Sequence, residues 1–172
     1  MNLFLIGFRC TGKTSVGQIL ARRLGWPLVD TDRIIVDMIG SDIARMVAES
    51  GWAFFRKQER RALEAVCAAD RQVVATGGGI VLDDRNIQIM KATGRIVWLT
   101  ASPETVEARM HADDATALNR PPLAGPGAIE AVASTLAERR PLYQKAADFT
   151  VDTDGETIAA VCARIEALLN GQ

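Results

Sequence analysis

The segment Gly7–Thr14, which reads GFRCTGKT, constrains the fold of this chain more than any other feature. Two glycines separated by four residues are followed by Lys13 and Thr14, and the apolar run Leu3–Ile6 comes directly before them. A buried strand, a glycine-rich turn and the start of a helix form a loop whose backbone N–H groups point inward at phosphate oxygens. The positive end of the helix adds to the attraction of anions. The spacing therefore predicts a nucleoside triphosphate site after the first strand.

Within this loop, Lys13 would supply a positive charge to the β- and γ-phosphates, and the hydroxyl of Thr14 would ligate Mg²⁺. Cys10 lies where the helix dipole and Lys13 favour a thiolate; a small residue that merely fits the turn is the alternative interpretation. The residues that we expect to contact the nucleotide here are Gly7, Cys10, Thr11, Gly12, Lys13, Thr14 and Ser15.

Short apolar runs alternate with longer amphipathic stretches along the chain. The runs predict strands at Leu3–Ile6, Pro27–Val29, Gln72–Ala75, Arg95–Leu99 and Asp148–Val151. The amphipathic stretches predict helices at Thr14–Leu24, Ile34–Met38, Ile43–Glu49, Phe54–Ala69, Asn86–Thr93, Pro103–His111, Ala128–Ala146 and Glu156–Leu169. Strands separated by helices indicate an α/β fold, in which a parallel sheet is covered on both faces. At 172 residues, the chain is most simply one domain.

Composition excludes several classes of function. The formal net charge of −1 gives no reason to expect nucleic acid or a membrane as a partner, and no apolar run approaches the roughly 20 residues that span a bilayer. The N-terminus has no basic region before its short apolar run, which argues against a signal peptide. Three widely spaced cysteines and one histidine, His111, argue against zinc sites and disulfide frameworks. We therefore expect a cytoplasmic protein.

The motif LVDTD places Asp30 and Asp32 at the carboxyl end of the second predicted strand, where open α/β sheets bind their ligands. Alternation along a strand would point both side chains to the same side. One carboxylate would anchor Mg²⁺ through water, and the other would accept a proton from a substrate hydroxyl. The alternative for Asp32 is a cap on a helix that begins at Arg33.

Two further motifs carry polar or glycine residues near this edge of the sheet. Gly77–Gly79 follows the third predicted strand, and the entropy that three glycines lose on folding suggests that a ligand approaches the main chain there. A plain loop is the alternative. In FFRKQE, Arg56 precedes Glu59 by three residues, close enough for the carboxylate to orient the guanidinium. Taken alone, Arg56 would fit a surface ion pair.

The stretch Ala112–Gly127 interrupts the pattern, because it contains three prolines, two glycines and few apolar residues. A structureless loop of this length in a compact domain is usually either functional or disordered. Its composition suits movement, while Pro121 and Pro122 stiffen the part next to Arg120.

Six motifs in order and spacing resemble the shikimate kinase family, whose members phosphorylate the 3-hydroxyl of shikimate with ATP. The motifs are GFRCTGKT, LVDTD, GWAFFRKQE, VVATGGGIVL, NRPPLAGP and ERRPLY, and they cover the chain almost from end to end. The versions GWAFFR and NRPPL are most similar to the bacterial type II branch. The resemblance implies a three-layer P-loop kinase fold with a five-stranded parallel sheet and a mobile lid. It also implies Mg²⁺ as cofactor and ATP and shikimate as small-molecule partners, and we expect a monomer.

For the nucleotide, the resemblance implies that Lys13 binds the β- and γ-phosphates while Thr14 and Asp30 hold Mg²⁺, Asp30 through water. Arg120 would belong to the lid, over about residues 112–127, and would reach the ATP phosphates. Arg109, ahead of the lid, would pack near the adenine. The catalytic residues implied in this way are Lys13, Asp32 and Arg120.

For the acceptor, the resemblance implies substrate-binding helices over about residues 32–60. Asp32 would contact the hydroxyl that receives the phosphoryl group and is the natural candidate for the base. Arg56 and Arg139 would bind the shikimate carboxylate, and Gly78, within the triplet Gly77, Gly78 and Gly79, would contact the substrate. Arg139 stands beside Arg140, and the match to the family pattern R-x-P-L-Y alone favours Arg139.

Two other interpretations remain open from the sequence. A gluconate or nucleoside-monophosphate kinase would share the architecture, although the set of Asp32, Arg56 and Arg139 with the three glycines argues against it. The second is a non-catalytic nucleotide-binding module that serves a partner, and the intact set of Lys13, Thr14, Asp30, Asp32 and Arg120 argues against it.

Overall fold

Five parallel strands form one sheet in the computed structural model, which describes residues 1–112 and 128–171. The strands are β1 (Asn2–Ile6), β2 (Leu28–Asp30), β3 (Val73–Ala75), β4 (Gly94–Thr100) and β5 (Phe149–Asp152). Their order across the sheet is β2-β3-β1-β4-β5, and every pair is parallel. The predicted α/β fold is confirmed, and each predicted strand overlaps an observed one.

Helices make the connections between these strands. They are α1 (Lys13–Leu24), α2 (Thr31–Ile39), α3 (Ile43–Val66), α4 (Asp84–Thr93), α5 (Pro103–Ala112), α6 (Ala128–Ala146) and α7 (Ile158–Asn170), with a short 3-10 turn at Ile80–Leu82. The two helices predicted on either side of residue 51 form the single element α3, which is broken at Gly51 by a φ of 79°. The expected lid beyond Ala112, with Arg120, lies outside the described residues. Within the described ranges, no helix is long and apolar enough to cross a membrane.

Both faces of the sheet are apolar, because side chains alternate along each strand. Leu3 and Leu5 of β1 point to one face, whereas Phe4 and Ile6 point to the other. The first face packs against α1 and α7 through Val16, Leu20, Val161 and Ile165. The second face packs against α3, α4 and α6 through Leu63, Val66, Ile87, Met90, Tyr143 and Ala146. The sheet is therefore the middle layer of three, with helices on both of its faces.

Candidate active site

Two cavities open at the carboxyl ends of the strands. The larger one, of about 1120 Å³, is lined by the loop between β1 and α1 together with Asp30, Asp32, Arg109 and Thr153. The smaller one, of about 60 Å³, is lined by residues of α2, α3 and α6 and by the three glycines after β3. Because the strands are parallel, this edge collects loops that lie far apart in sequence.

The loop between β1 and α1 has the backbone of a phosphate cradle. Three of its residues have positive φ angles: Gly7 (144°), Cys10 (59°) and Gly12 (92°). A Cβ atom on Gly7 would overlap the carbonyl of Leu99 in β4, so glycine is required there. Gly12 precedes α1 and provides no side-chain cap, which leaves the first N–H groups of the helix available to an anion.

Lys13 is held against this loop by its own backbone. Its Nζ donates hydrogen bonds to the carbonyls of Gly7 (2.9 Å) and Phe8 (2.6 Å), and the side chain is largely buried. The hydroxyl of Thr11 donates to the same Phe8 carbonyl at 2.9 Å. These contacts place the ammonium beside the predicted phosphate site, as its expected role requires. Cys10 and Ser15 also line the larger cavity.

Thr14 and Asp30 lie next to each other, as expected for residues that share a metal ion. The hydroxyl of Thr14 donates to Oδ2 of Asp30 at 3.3 Å. Hydroxyl and carboxylate oxygens are hard ligands that suit Mg²⁺, which keeps several waters and is completed by substrate phosphates. The described residues include no group of three or more His, Cys, Asp or Glu side chains able to hold a metal by themselves. The pair therefore fits Mg²⁺ that is bound jointly with a nucleotide.

The helix cap in this region is Asp30 and not Asp32, so the interpretation of Asp32 as a cap is wrong. Oδ1 of Asp30 accepts hydrogen bonds from the backbone N–H groups of Asp32 (3.0 Å) and Arg33 (3.3 Å). Helix α2 begins at Thr31 as a result, and Asp32 lies within its first turn. The carboxylate of Asp32 therefore does not cap this helix. It lines both cavities.

The three glycines after β3 leave room for side chains of the site itself. A Cβ on Gly77 would come within 2.6 Å of Oδ1 of Asp32, and a Cβ on Gly79 would overlap the guanidinium of Arg56. A Cβ on Gly78 would lie 3.4 Å from the carbonyl oxygen of Gly7 in the phosphate loop. Side chains of the protein therefore approach the main chain at Gly77 and Gly79, and the expected approach of a ligand stays a prediction.

Arg56 reaches the smaller cavity from α3. Its Nη1 donates to Oε2 of Glu59 at 2.7 Å, and its guanidinium lies over the rings of Trp52 (5.4 Å) and Phe55 (5.2 Å). Glu59 has no exposed surface, and burial raises its pKa against the opposing charge of Arg56. Its second oxygen, Oε1, is buried with no hydrogen-bond partner among the described residues. Glu59 and the two rings thus orient the guanidinium of Arg56, and its ion pair with Glu59 is not a surface ion pair.

Arg139 reaches the same cavity from α6. Its Nη1 donates to the carbonyl of Gly78 at 3.3 Å, and its guanidinium lies 5.8 Å from the centre of the Phe8 ring. Arg139 is partly buried and lines the cavity with Arg56, whereas Arg140 is exposed. The structure therefore brings Arg56 and Arg139 together beside Asp32.

Arg109 lines the larger cavity from the last turn of α5. Its guanidinium donates to the carbonyl of Cys10 (3.2 Å) and to the hydroxyl (3.0 Å) and carbonyl (2.9 Å) of Thr153. It thus joins the phosphate loop to the turn after β5.

Several contacts of the site were missed from the sequence. The aromatic residues beside the arginines are Phe8, Trp52, Phe55 and Tyr143. Trp52 precedes Arg56 by four residues and Tyr143 follows Arg139 by four, a spacing that places both members of each pair on one face of a helix. That spacing is the signal from which these contacts could have been found.

Comparison with known proteins identifies the family of this chain. Residues 9–170 match the family model described as shikimate kinase. A shikimate kinase of Syntrophus aciditrophicus is 43% identical over 172 residues, which cover 95% of this chain and 88% of that protein. A shikimate kinase of Nitratidesulfovibrio vulgaris is 43% identical over 168 residues, which cover 98% and 95%. The solved structure of shikimate kinase from Acinetobacter baumannii in complex with shikimate has a TM-score of 0.92 at 29% identity, and covers 99% of this chain and 93% of that one.

Proposed function

The chain belongs to the shikimate kinase family, and on that premise we propose that its two cavities bind ATP and shikimate side by side. The enzyme transfers the γ-phosphoryl group of ATP to the 3-hydroxyl of shikimate, which gives shikimate 3-phosphate and ADP. This reaction is a step in the biosynthesis of chorismate and the aromatic amino acids. The observation that carries the proposal is that Asp32 lines both cavities, between the phosphate loop and the two arginines.

ATP binds in the larger cavity, with its phosphates in the loop between β1 and α1. Gly7, Gly12 and the amides that follow supply N–H donors, and Lys13 adds a positive charge at the β- and γ-phosphates. Arg109 also lines this cavity and contacts Thr153, which supports the proposal that it packs near the adenine. Phosphoryl transfer needs little covalent help from the protein, so that positioning and neutralisation of charge provide most of the rate.

Thr14 and Asp30 would hold Mg²⁺ at the β- and γ-phosphates, Thr14 directly and Asp30 through water. The ion supplies neutralisation of the charge that develops on the transferred group. The 3.3 Å contact between the two side chains supports this assignment.

Shikimate binds in the smaller cavity with its carboxylate on Arg56 and Arg139. Planar guanidinium groups match a carboxylate in geometry and charge. This places the ring against the three glycines and directs a ring hydroxyl towards Asp32, which accepts its proton or orients it for in-line attack. The acceptor oxygen then lies beside Asp32 and faces the γ-phosphate directly.

Arg120 would complete the site from a lid over about residues 112–127. A kinase must keep water away from the transferred phosphoryl group, and a closing loop does so while delivering a further cation. We propose that the enzyme works as a cytoplasmic monomer on small molecules, without nucleic acid or membrane. The described cysteines Cys10, Cys67 and Cys162 form no disulfide with one another, which suits a reducing compartment.

The function is tested by an assay of ADP release with shikimate as the sole acceptor. Matched reactions contain gluconate, a nucleoside monophosphate or no acceptor. We expect ADP release that depends on both shikimate and Mg²⁺, together with formation of shikimate 3-phosphate. Release that is faster with gluconate or a nucleotide would overturn the acceptor assignment, and no release with any acceptor would indicate a non-catalytic module.

A further inference from the structure

Tyr143 connects helix α6 to the three glycines after β3. It follows Arg139 by one helical turn, and its side chain is 1% exposed. Its ring stacks on Trp98 of β4, with centroids 5.5 Å apart and an angle of 20° between the planes. Its hydroxyl donates a 2.5 Å hydrogen bond to the carbonyl of Gly78. The stacked ring fixes the position of the hydroxyl, because a buried aromatic ring in a close-packed core has few rotamers.

Two donors share the Gly78 carbonyl. Tyr143 approaches to 2.5 Å, while Nη1 of Arg139 is 3.3 Å away. A carbonyl oxygen has two lone pairs and accepts both donors, but the distances show that Tyr143 is the closer partner. Nη1 of Arg139 is therefore the more distant donor at this carbonyl, and the guanidinium also donates a hydrogen bond to the hydroxyl of Tyr143. The guanidinium keeps its other N–H groups available to a carboxylate.

The tyrosine hydroxyl stays protonated over the neutral range. Burial raises the pKa of Tyr143 to about 12, although the charge and hydrogen bond of Arg139 and the charge of Arg56 oppose this effect, and Glu59 adds to it. A phenol with this pKa donates a hydrogen bond at any pH at which the enzyme works. The contact with Gly78 is thus a constant feature of the site.

Gly78 is also packed against the phosphate loop on its other side. A Cβ at this position would lie 3.4 Å from the Gly7 carbonyl oxygen and 3.5 Å from the backbone nitrogen of Arg9. The hydrogen bond from Tyr143 therefore secures a piece of backbone that touches the nucleotide loop and carries an acceptor for Arg139. Gly78 itself lines the smaller cavity, so the hydroxyl of Tyr143 holds part of the wall of that cavity.

We propose that Tyr143 is a positioning residue for the acceptor, which satisfies the Gly78 carbonyl so that Arg139 remains free to bind the shikimate carboxylate. This inference rests on the proposed function, because it assumes that Arg139 contacts the substrate. Without the hydroxyl, Arg139 becomes the nearest donor to a carbonyl that is costly to leave unsatisfied. The guanidinium then closes onto Gly78 and withdraws from the substrate.

The variant Tyr143→Phe tests this inference because it keeps the ring and its stack on Trp98 while it removes the donor. We expect the KM for shikimate to rise about tenfold, the change that corresponds to one hydrogen bond of ordinary strength. The KM for ATP and the thermal midpoint stay near those of the wild type. The matched control Trp98→Phe reduces the stacking surface and leaves the hydroxyl, so it lowers the thermal midpoint without the selective rise in the shikimate KM. An equal rise in both KM values for Tyr143→Phe, or none, overturns the proposal.

A double-mutant cycle with Arg139→Ala shows whether Tyr143 acts through Arg139. If it does, Tyr143→Phe has less than about a twofold effect in the Arg139→Ala background, since coupled residues are not additive. Equal effects in both backgrounds overturn the inference. If Arg139→Ala itself leaves shikimate binding unchanged, the carboxylate assignment fails. If the shikimate KM rises in Arg139→Ala but stays normal in Tyr143→Phe, the inference about Tyr143 is rejected while the carboxylate assignment stands.

A second measurement keeps the proposal testable should Tyr143→Phe fold poorly. Tyr143 is the single tyrosine of the chain, so growth with 3,5-difluorotyrosine labels this position alone. The fluorinated phenol ionises at lower pH, and its absorbance reports its own titration. We expect the KM for shikimate to rise at the pH at which this phenol ionises, relative to the unlabelled enzyme. A KM that does not follow this titration overturns the proposal.

Discussion

The guanidinium of Arg56 donates a 2.7 Å hydrogen bond to Glu59, a residue with no exposed surface. Removal of either partner leaves the other polar group in a protein environment that cannot replace the lost contact with water. The pair also fixes the direction in which Arg56 faces the smaller cavity. It therefore stabilises α3 and, in the proposed function, orients Arg56 towards the substrate carboxylate.

We expect Arg56→Ala to weaken shikimate binding by about 10- to 100-fold, since hydrogen bonds to charged groups contribute about 1.5–3 kcal/mol. ATP binding should stay nearly intact, because Arg56 lies outside the larger cavity. Isothermal titration with each ligand separates the two effects. Arg45→Ala is the matched control, because Arg45 also pairs with a glutamate on α3, at 2.8 Å, but is exposed. Equal loss of ATP and shikimate binding would show that the carboxylate assignment is mistaken.

Glu59→Gln should change how stability depends on pH. Burial raises the pKa of Glu59 in the folded protein, so the folded state binds this proton more tightly than the unfolded chain does. The wild type therefore loses stability as pH rises from about 4.3, the usual pKa of glutamate, through the raised pKa. The Glu59→Gln variant has no group that titrates at this position, so it does not show this loss of stability. Urea unfolding of both proteins over this range measures the difference, and curves that stay parallel would contradict the expectation.

Gly79→Ala tests the close approach of Arg56 to the main chain. The added methyl group would overlap the guanidinium, and Arg56, as the end of a flexible side chain, would move in place of the backbone. We expect the KM for shikimate to rise about tenfold, as for the loss of one hydrogen bond. The thermal midpoint should change little.

Gly40→Ala is the control for that variant. Gly40 ends α2 with a φ of 73° and has open space around it, so alanine costs about 1–2 kcal/mol of stability through its left-handed backbone. The kinetics should stay normal. A rise in the shikimate KM for Gly40→Ala as large as that for Gly79→Ala would reject the steric explanation.

The sheet and the phosphate loop could be predicted because local patterns encode them. Buried parallel strands are continuous apolar runs, and the loop needs glycines and a lysine at fixed spacing. The pair of Arg56 and Glu59 could be predicted for the same reason, since three positions separate its members on one helix. The start of α2 was placed too late because the cap is the carboxylate of Asp30, a side chain already assigned to the metal.

Contacts between distant segments could not be read from the sequence. The hydroxyl of Tyr143 and the carbonyl of Gly78 are 65 positions apart, and no local pattern connects a tyrosine on a helix to a glycine turn. The sequence likewise did not show which groups lie against the three glycines, because the side chains beside them come from α2 and α3. The resemblance to a family supplied the role of Arg139, for which spacing alone did not distinguish it from Arg140.

Arg120→Ala should reduce turnover far more than it reduces shikimate affinity. A cation delivered to the γ-phosphate acts mainly in the transition state, where it is worth on the order of 10³ in rate. Arg120 lies outside the described residues, so this prediction depends on the family resemblance. Steady-state kinetics combined with a direct shikimate binding measurement test it. Equal losses in kcat and in shikimate affinity would remove the lid from the mechanism.

Asp30→Asn separates the two roles of Asp30, because asparagine caps a helix about as well as aspartate but lacks the negative charge. The thermal midpoint should stay close to that of the wild type, while the Mg²⁺ concentration for half-maximal activity rises about 10- to 100-fold, as is typical when an outer-shell partner of a metal is lost. Asp30→Ala removes the cap as well and should cost about 1 kcal/mol of stability in addition. A magnesium requirement that is unchanged in Asp30→Asn would assign Asp30 to the helix alone and leave Thr14 as the protein ligand of the ion.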